Sequence, residues 1–396
     1  MKAKLNRLVP QTIKNFFHLI QGFIAATYFR FPAKRLTVIG VTGTDGKTTT
    51  STILYQILKQ AGFKVAVLTT VAAYAGNKEI DTGFHVTSPD RWPLQKLLKE
   101  IADEGYTHIV LEATSHGLDQ HRLYGIDFTI GVLTNITHEH LDYHKTYERY
   151  VKAKSKLFKS AQVAILNKQD SSYTLVKKLL PQQISLLTYD KKTLTGKTRQ
   201  SVIRAFPQKY NQLNATAAIQ AAQYLGVAET KIIQAISNFS GIKGRMELIK
   251  NTKKIKAVVD FAHTPNGLEN ALKSLRSQSS GRLIAVYGSA GLRDYQKRPL
   301  MGNIGSQYAD EVVLTAEDPR TESVWGIIDQ MLAGVKTNIG HVHSIPDRQQ
   351  AINFAVSLAK PGDTVAVLGK GHEKSMCFGK IEHPWSDQSA LTKALK

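Results

Sequence analysis

The stretch "VIGVTGTDGKTTTS" (38–51) decides the fold of this chain. Strand-type apolar residues run into a glycine-rich loop, which is followed by Lys47 and Thr48. Such a loop lets backbone N–H groups surround a phosphate, and a helix that begins near Lys47 points its positive end at that phosphate. Lys47 would reach the β- and γ-phosphates, and the Thr48 hydroxyl would serve Mg²⁺. The generic P-loop pattern requires glycine where this chain has Val41, so the loop alone predicts a nucleoside triphosphate site and no particular reaction.

Downstream of residue 35, apolar runs alternate with segments of helical periodicity, which is typical of parallel α/β architecture. The alternation stops in the glycine-bearing segment 237–249 and then restarts, so each half is predicted to bury its own sheet. We expect an N-terminal helical segment at 1–34, a central domain at 35–240 and a C-terminal domain at 241–396. The predicted strands are 36–41, 64–69, 107–112, 128–133, 162–166, 256–260, 282–287, 311–315 and 363–368. The predicted helices are 47–61, 90–103, 146–159, 210–225, 265–276, 323–335 and 347–359.

The composition favours small anionic partners. The chain of 396 residues has 52 Lys+Arg against 31 Asp+Glu, a net charge of +21, which attracts nucleotides or acidic headgroups. The lysines are spread along the chain and no arginine-aromatic module is present, so nucleic-acid binding is not expected. Cys377 is the only cysteine, which excludes a disulfide framework and fits a reducing compartment. We expect a cytoplasmic monomer.

The first segment contains no recognisable signal peptide, and its apolar run at 16–29 is too short to span a bilayer. Residues 11–29 are predicted to form an amphipathic helix. Packing on the body of the protein is the favoured arrangement, and association with a membrane surface is the alternative, because basic residues flank the helix.

Two predicted strands end in residues suited to Mg²⁺. Glu112 ends an apolar strand, and the next strand is followed by "TNITHEHLDYH" (134–144), which contains His140. Ligands collect at the carboxyl ends of strands in such sheets, and hard cations beside phosphates prefer oxygen. We interpret Glu112 and His140 as Mg²⁺ ligands, and we expect the other histidines of this segment only to pack or to form hydrogen bonds.

Together these motifs resemble the Mur ligase family, the ATP-dependent amide-forming enzymes of peptidoglycan synthesis. The family loop GTNGKT appears here as GTDGKT, with Asp45 in place of the usual Asn. The resemblance covers roughly residues 35–390 and includes "NITHEHLD" (135–142), "YVKAKSKLF" (150–158), "YNQLNATAAIQAA" (210–222), "GRMELI" (244–249), "DFAHTPNGLENAL" (260–272), "GLRDYQKRPLMG" (291–302), "EDPRTES" (317–323) and "LGKGHE" (368–373). "TSPD" (87–90), "SHGLDQHR" (115–122) and "GKGHE" (369–373) resemble the type that adds a diamino acid to UDP-N-acetylmuramoyl-L-Ala-D-Glu.

The resemblance implies a P-loop-type ATPase domain followed by a Rossmann-like domain, and an acyl-phosphate mechanism with ATP and Mg²⁺. It also implies that Lys154 is carbamylated and helps to hold a second Mg²⁺. Carbamylation requires a neutral amine, which a buried site beside cations favours. Lys152, Lys154 and Lys156 alternate in sequence, and by itself this pattern is more typical of a solvated helix face.

Site residues follow from the resemblance position by position. The catalytic set is Lys47, Glu112, His140 and Lys154. The metal ligands are Thr48, Glu112, His140 and Lys154. The nucleotide set is Gly43, Thr44, Asp45, Gly46, Lys47, Thr48, Thr49, Asn211, Asn214, Arg245, Asp260 and His263. The muramoyl-dipeptide set is Thr87, Ser88, Thr114, Gln120 and Arg122, and the set for the incoming amino acid is Asp318, Arg320, Gly369 and Glu373.

The incoming amino acid and the acceptor are less closely defined. Diaminopimelate-adding relatives carry DNPR, and the arginine suits the extra carboxylate of diaminopimelate, so EDPR (317–320) favours diaminopimelate over lysine. Residues 1–34 are too short for the family's UDP-binding domain, so whether the acceptor carries UDP stays open. Two alternatives remain: a ligase of this fold that acts on a folate, polyglutamyl or UDP-free acceptor, and a non-catalytic subunit of a complex.

Overall fold

The computed structural model of the chain describes residues 10–70, 73–76, 78–80, 90–137, 139, 141–336 and 341–396. It divides into two units. The first contains the residues up to Thr137 together with His144–Phe239, and the second contains His138–Tyr143 together with Ser240–Lys396.

The first unit is built on one mainly parallel sheet with the strand order β4-β3-β2-β5-β1-β6-β7-β8. Its strands are β1 (Thr37–Thr42), β2 (Val65–Leu68), β3 (Ala73–Ala75), β4 (Lys78–Ile80), β5 (His108–Glu112), β6 (Phe128–Leu133), β7 (Ala161–Asn167) and β8 (Ser185–Tyr189). Only β3 pairs antiparallel with its neighbours β2 and β4. Since β1 lies between β5 and β6 and runs parallel to both, the residues that follow these three strands meet at one edge of the sheet.

Helices cover both faces of this sheet. They are α1 (Gln11–Tyr28), α2 (Lys47–Gln60), α3 (Arg91–Asp103), α4 (Ser115–Asp119), α5 (Leu141–His144), α6 (Tyr147–Ser155), α7 (Tyr173–Lys178), α8 (Gly196–Ala205), α9 (Lys209–Tyr224) and α10 (Glu229–Ser237). Helices α2 and α9 pack on each other and on the sheet through buried aliphatic residues such as Ile53, Ile57 and Ile219. This apolar contact holds the N-terminal end of α2, where Lys47 lies, at the edge of the sheet.

The N-terminal helix α1 packs against α3. Small residues, Gly22, Ala25 and Ala26, form its buried face and allow a close approach. Arg91 of α3 donates from Nε to the carbonyl of His18 over 3.0 Å, and Asn15 donates to the carboxylate of Asp119 over 2.9 Å. None of the helices in the described part of the chain is both long and apolar enough to cross a bilayer.

The second unit has a sheet with the strand order β13-β12-β11-β14-β10-β9 and a separate hairpin of β15 and β16. All pairs in the larger sheet are parallel except β9 with β10. The strands are β9 (Glu247–Ile249), β10 (Lys256–Asp260), β11 (Leu283–Tyr287), β12 (Glu311–Leu314), β13 (Val342–Ser344), β14 (Thr364–Leu368), β15 (Ser375–Phe378) and β16 (Ile381–Pro384). The helices are α11 (Pro265–Gln278), α12 (Lys297–Tyr308), α13 (Val324–Leu332), α14 (Arg348–Leu358) and α15 (Asp387–Leu395).

The prediction of two α/β sheets is confirmed, and the predicted strands and helices are all present within a few residues of their expected bounds. The elements that the sequence reading missed include α10, α12, α15, β8 and the hairpin β15–β16. Helix α12 reads "KRPLMGNIGSQY", and its proline and two glycines hide the helical pattern. Its glycines are needed because a Cβ on Gly302 would lie 1.9 Å from the Met331 carbonyl of α13.

Candidate active site

The glycine-rich loop between β1 and α2 has a shape that only glycine allows at its last position. Gly46 precedes the first residue of α2 with φ of +80°, and a Cβ there would lie 2.2 Å from Oδ1 of Asn214. Asn214 is buried in α9 and donates to Oδ1 of Asn211 over 3.2 Å. The two asparagines predicted to lie near the adenine therefore form a pair, and Asn214 lies directly against the loop.

The backbone of the loop is held by the residues that follow the neighbouring strand β6. Thr44 donates its backbone N–H to the carbonyl of Asn135 over 2.8 Å. The Asp45 N–H donates to the Asn135 side chain over 3.0 Å, and the Thr134 hydroxyl donates to the Asp45 carbonyl over 2.6 Å. Held this way, the loop has its conformation set in advance, which reduces the entropy lost on binding a ligand.

Two lysines converge on the loop. Lys47 donates from Nζ to the carbonyls of Gly43 and Thr44 over 3.1 and 2.7 Å, and Lys154 donates to the same Gly43 carbonyl over 2.6 Å. Lys154 is only 2% exposed, and its Nζ lies 4.6 Å from the ring centre of Tyr150, whose hydroxyl is 3.1 Å from the Thr44 hydroxyl. Lys154 is thus a buried residue of the loop's surroundings, which excludes a position on a solvated helix face.

Glu112 and Thr48 form the oxygen-rich part of the site. The Thr48 hydroxyl donates to Oε2 of Glu112 over 2.8 Å, and the same oxygen accepts from the Thr70 backbone N–H over 3.1 Å. Both side chains are buried at the carboxyl edge of the sheet. A carboxylate and a hydroxyl next to a phosphate loop are the donors that Mg²⁺ prefers, so this pair fits the predicted ion. The predicted ligand His140 lies outside the described residues.

The residues predicted to bind the acceptor are described in part. Thr87 and Ser88 lie outside the described residues. Thr114 caps α4, where its hydroxyl accepts from the Gly117 N–H over 3.0 Å. Gln120 and Arg122 lie side by side, since Arg122 donates to Oε1 of Gln120 from Nε over 3.2 Å and from Nη2 over 3.0 Å. The Gln120 amide thus helps to fix the orientation of the Arg122 guanidinium.

In the second unit, the predicted nucleotide contacts surround the turn at residues 244–246. The guanidinium of Arg245 lies 4.5 Å from the ring centre of Phe261. Asp260 accepts from the backbone N–H of Met246 over 2.7 Å, which holds that residue at a φ of +49°. His263 has its Nδ1 2.9 Å from the Phe261 carbonyl. Asp260 therefore positions the turn that carries Arg245.

The residues predicted to bind the incoming amino acid meet around Lys370. The Lys370 ammonium is fully buried, donates to Oδ1 of Asp318 over 2.8 Å and is paired with Glu373. Burial lowers the pKa of Lys370, but attraction to Glu373 and Asp318 outweighs burial and raises it overall. The pKa of Asp318 is raised by burial but more strongly lowered by Lys370, so the lysine and the acid at 318 are both charged.

Arg320 lies in a turn with unusual backbone angles. Asp318 and Arg320 both have positive φ, +42° and +54°, which costs free energy in residues with side chains. The Arg320 N–H and carbonyl are bonded to the Cys377 carbonyl and the Gly379 N–H of the hairpin β15–β16. Its guanidinium donates to the Gly291 carbonyl over 2.7 Å and stays 3.9 Å from Asp318. Strain of this kind concentrates at functional sites, and here it accompanies a guanidinium that is fixed by the Gly291 carbonyl.

Glu317 is a buried acid beneath this turn. Its side chain lies against Gly369, which has a φ of +110°. A Cβ atom added at this glycine would lie 2.2 Å from Oε2 of Glu317. Burial raises the pKa of Glu317 to about 8, against the opposing attraction of Lys297, Arg348 and Lys370. Gly369 is thus required by its close contact with Glu317 as well as by its backbone angle.

The raised pKa of Glu317 makes stability depend on pH. The folded state holds a proton that the unfolded state releases near the ordinary glutamate pKa, so the free energy of unfolding should fall as pH rises from 5 to 8. We expect Glu317→Gln to remove this decline, worth about 2–4 kcal/mol over that interval. Denaturant titrations followed by tryptophan fluorescence would measure it, because Trp325 and Trp385 lie in this unit.

Glu322→Gln is the matched control. The pKa of Glu322 is lowered, chiefly by its hydrogen bond from Arg298, so its charge is constant between pH 5 and 8. The free energy of unfolding of this variant should differ from that of the parent by the same amount at pH 5 and at pH 8. If Glu317→Gln behaved in the same way, Glu317 would be ionised across the interval, contrary to the prediction.

Several residues of the site escaped sequence reasoning. Tyr150 precedes Lys154 by four residues on α6, and that spacing was a usable signal for a shared face. Asn135 follows the strand beside β1, which also placed it near the loop. Glu317 and Lys370 lie within the quoted motifs 317–323 and 369–373 but were not assigned a role, and Thr70 had no distinguishing signal, because its position depends on the packing of elements distant in sequence.

Comparisons with known proteins agree with this architecture. Residues 41–227 match the Mur ligase middle domain, and residues 244–371 match the Mur ligase, glutamate ligase domain. A UDP-N-acetylmuramoyl-L-alanyl-D-glutamate–2,6-diaminopimelate ligase of Clostridium botulinum is 37% identical over 89% of this chain and 76% of the relative. The ligase of the same name from Aquifex aeolicus is 37% identical over 98% of this chain and 83% of the relative.

A solved structure of a ligase of that name is 32% identical in sequence. The match covers 91% of this chain and 78% of the chain in that structure, with a TM-score of 0.58. The two family domains occur in the same order as the two α/β sheets described above. With its phosphate-binding loop, its buried lysine and its matches to curated ligases, the chain belongs to the Mur ligase family, and it is an ATP-dependent ligase.

Proposed function

We propose that this chain joins a diamino acid, meso-diaminopimelate in preference to lysine, to the D-glutamyl carboxylate of a muramoyl-L-Ala-D-Glu acceptor. The observation that carries the proposal is the convergence of Lys47 and Lys154 on the Gly43 carbonyl beside the Thr48–Glu112 pair. The names of the relatives supply the substrate class.

The first step is phosphoryl transfer. The acceptor carboxylate attacks the γ-phosphorus of ATP, the bond to the β-phosphate oxygen breaks, and ADP leaves as the acyl phosphate forms. Catalysis of this step consists mainly of positioning and charge neutralisation. Lys47 supplies a positive charge to the phosphates, while the backbone held by Asn135 and Thr134 orients the N–H groups of the loop.

Mg²⁺ would be held by Thr48 and Glu112, with His140 and the carbamate of Lys154 as further ligands, and when bound it neutralises phosphate charge. The buried carboxylate and hydroxyl of this pair support such a site. The Lys154 ammonium would lose a proton, its amine would bond to the carbon of CO₂, and the nitrogen would lose a second proton, with both protons passing to solvent. A buried positive charge would thereby be replaced by a negative one next to Lys47. That exchange removes the repulsion between two ammonium groups that share one carbonyl.

The second step forms the amide. The amine of the incoming amino acid attacks the acyl carbon, phosphate leaves, and the amine loses a proton. Gln120 and Arg122 are proposed to hold the acceptor, with the arginine paired to one of its carboxylates. The cluster of Asp318, Arg320 and Glu373 is proposed to select the amino acid, since its fixed charges suit a zwitterion.

The test is a ligation assay with all three substrates. Incubation with ATP, UDP-N-acetylmuramoyl-L-Ala-D-Glu and meso-diaminopimelate should release one phosphate for each amide formed, identified by mass. Omission of the acceptor or the amine should stop product formation. Parallel assays use a UDP-free muramoyl dipeptide and a folate acceptor. Product from the folate alone, or phosphate release without any amide, would overturn the proposal.

Arg320→Ala tests the choice of amino acid. Diaminopimelate has a carboxylate that lysine lacks, so the loss of the guanidinium should lower kcat/KM for meso-diaminopimelate by about 10²-fold and leave lysine almost unchanged. Competition between the two labelled amino acids would measure the ratio directly.

Arg276→Ala is the matched control for this change. It removes the same charge from the same unit, where Arg276 is paired with Asp310 on the surface. It should leave the ratio of the two amino acids intact. Equal losses for both amino acids in Arg320→Ala would make Arg320 a structural residue of its turn.

Oligomeric state and location follow the same proposal. We propose a monomeric enzyme acting in the cytoplasm, where ATP and sugar-nucleotide peptides are available. Sedimentation analysis of the purified chain would test the monomer.

A further inference from the structure

Helix α1 exposes an unusually apolar surface. Its buried face consists of small residues, whereas its large side chains point outward. The exposed residues repeat every three to four positions, which places them on one side of the helix. They are Ile13, Phe16, Phe17, Ile20, Phe23, Ile24 and Tyr28, with exposed fractions of 40–71%, and we call them the outer face of α1.

The outer face continues onto α3 through aromatic contacts. Trp92 is itself exposed, and its ring lies 5.4 Å from Tyr28 and 6.0 Å from Phe29. Contiguous apolar surface of this kind is rare on a soluble monomer and marks a place of interaction. The aromatic rings are the side chains that the boundary between lipid headgroups and acyl chains accommodates best.

The charge around the outer face indicates its partner. None of residues 1–44 is Asp or Glu, while Lys14 lies in the helix and Arg30, Lys34 and Arg35 follow it, of which Arg35 is paired with Asp103 of α3. A second copy of the chain would bring these positive charges together across a symmetric contact, which repulsion opposes. An anionic lipid surface would instead attract them while its acyl region receives the aromatic and aliphatic side chains.

We propose that the outer face of α1 docks the protein on an anionic membrane surface, with the helix lying in the plane of the interface. On the opposite face Gly22 lies against Tyr124 and the His121 carbonyl, and Ala26 lies against Gly125, so the helix need not leave the protein to bind. The loop with Gln120 and Arg122 is anchored to the same helix through Arg91, which donates to both the His18 and Gln120 carbonyls. Docking therefore brings the proposed acceptor residues close to the lipid surface.

The experiment is sedimentation of the full chain with sucrose-loaded vesicles, without ATP or peptide substrates. Vesicles of phosphatidylcholine with about 30 mol % phosphatidylglycerol should bind the protein, and vesicles of phosphatidylcholine alone should bind it at least about tenfold more weakly. Raising the salt to about 0.5 M should weaken binding to the anionic vesicles, since it screens the attraction. A blue shift of tryptophan emission should accompany binding, because Trp92 adjoins the outer face.

A pair of variants separates the outer face from general surface apolarity. Ile24→Glu should reduce the bound fraction about tenfold or more, because an acid replaces an apolar contact. Ile203→Glu on α8 is the control. The side chain of Ile203 has the same exposed fraction as that of Ile24, 48%, but it lies away from α1, so this variant should bind vesicles like the parent. Far-UV circular dichroism would verify that both variants keep their helices.

Three results would overturn the proposal: no binding to anionic vesicles, binding unchanged by Ile24→Glu, or equal binding to neutral vesicles. A concentration-dependent dimer that Ile24→Glu abolishes, without vesicle binding, would assign the face to a second copy. Because no substrate is present, the outcome is independent of the ligation assay, and a failure of either leaves the other interpretable.

Discussion

Replacing Lys47 with alanine is expected to lower ATP-dependent ligation by at least about 10³-fold while the fold stays intact. The lysine places a positive charge on the backbone of the loop, and phosphoryl transfer depends on such charges. In the structure its Nζ is bonded only to the carbonyls of Gly43 and Thr44 among the contacts described, and it makes no core contact. The fold should therefore survive its removal.

The measurement is product formation at saturating ATP together with circular dichroism. Lys59→Ala is the matched control, because Lys59 lies on the same helix α2 but at its other end, near the Gly76 carbonyl. That variant should turn over normally. Normal ligation by Lys47→Ala would remove the loop from the mechanism, and a loss of helical signal would make the variant uninformative, in which case Lys47→Met supplies the test.

Lys154→Ala is expected to be inactive, with a loss of about 10³-fold or more, and to regain part of its activity when acetate or formate is added. The alanine leaves room where the carbamate would stand, and a small carboxylate can then supply the missing oxygen ligands. Deletion of an ordinary structural lysine would not be repaired in this way. The burial of Lys154 and its position beside the Gly43 carbonyl are the structural grounds for the prediction.

Lys152→Ala is the control for this variant, since Lys152 is exposed on the same helix α6, and it should retain full activity. A readout independent of activity is the carbamate ¹³C resonance of the parent protein in ¹³C-bicarbonate, which should be missing from Lys154→Ala. A bare amine in a crystal grown with bicarbonate, together with no rescue by carboxylates, would contradict the carbamate.

The order of the secondary-structure elements was readable from the sequence because it depends on local patterns. Alternation of apolar runs and helical periodicity located the strands around Lys47 and the restart after residue 249 to within a few residues. The same local signals located Gly46 and Lys47 at the start of α2, since a glycine loop before a helix is a contiguous motif. Helix α12 and the hairpin β15–β16 escaped because their sequences break those patterns.

The chemistry of the site was readable only in part. Sequence motifs identified Lys47, Glu112 and Lys154 as candidates, but the pattern of alternating lysines at 152–156 is by itself more typical of a solvated helix face than of a site. The structure decided that question, since α6 packs so that Lys154 is buried and bonded to the Gly43 carbonyl, 111 residues away in sequence. Distances between elements depend on side-chain packing, which no local pattern encodes.

The tertiary structure alone decided which charges act together and which surface is left open. Lys370 pairs with Asp318, 52 residues away, and Glu317 has a raised pKa because the sheet and its neighbours bury it. Helix α1 was predicted from its sequence, but its apolar side chains gave no indication of which of them would face water. That depended on the small residues of the opposite side, which pack against the segment that contains His121, Tyr124 and Gly125 and leave the large ones outside. Local sequence thus determined the elements, and the free energy of packing them determined the site and the exposed surface.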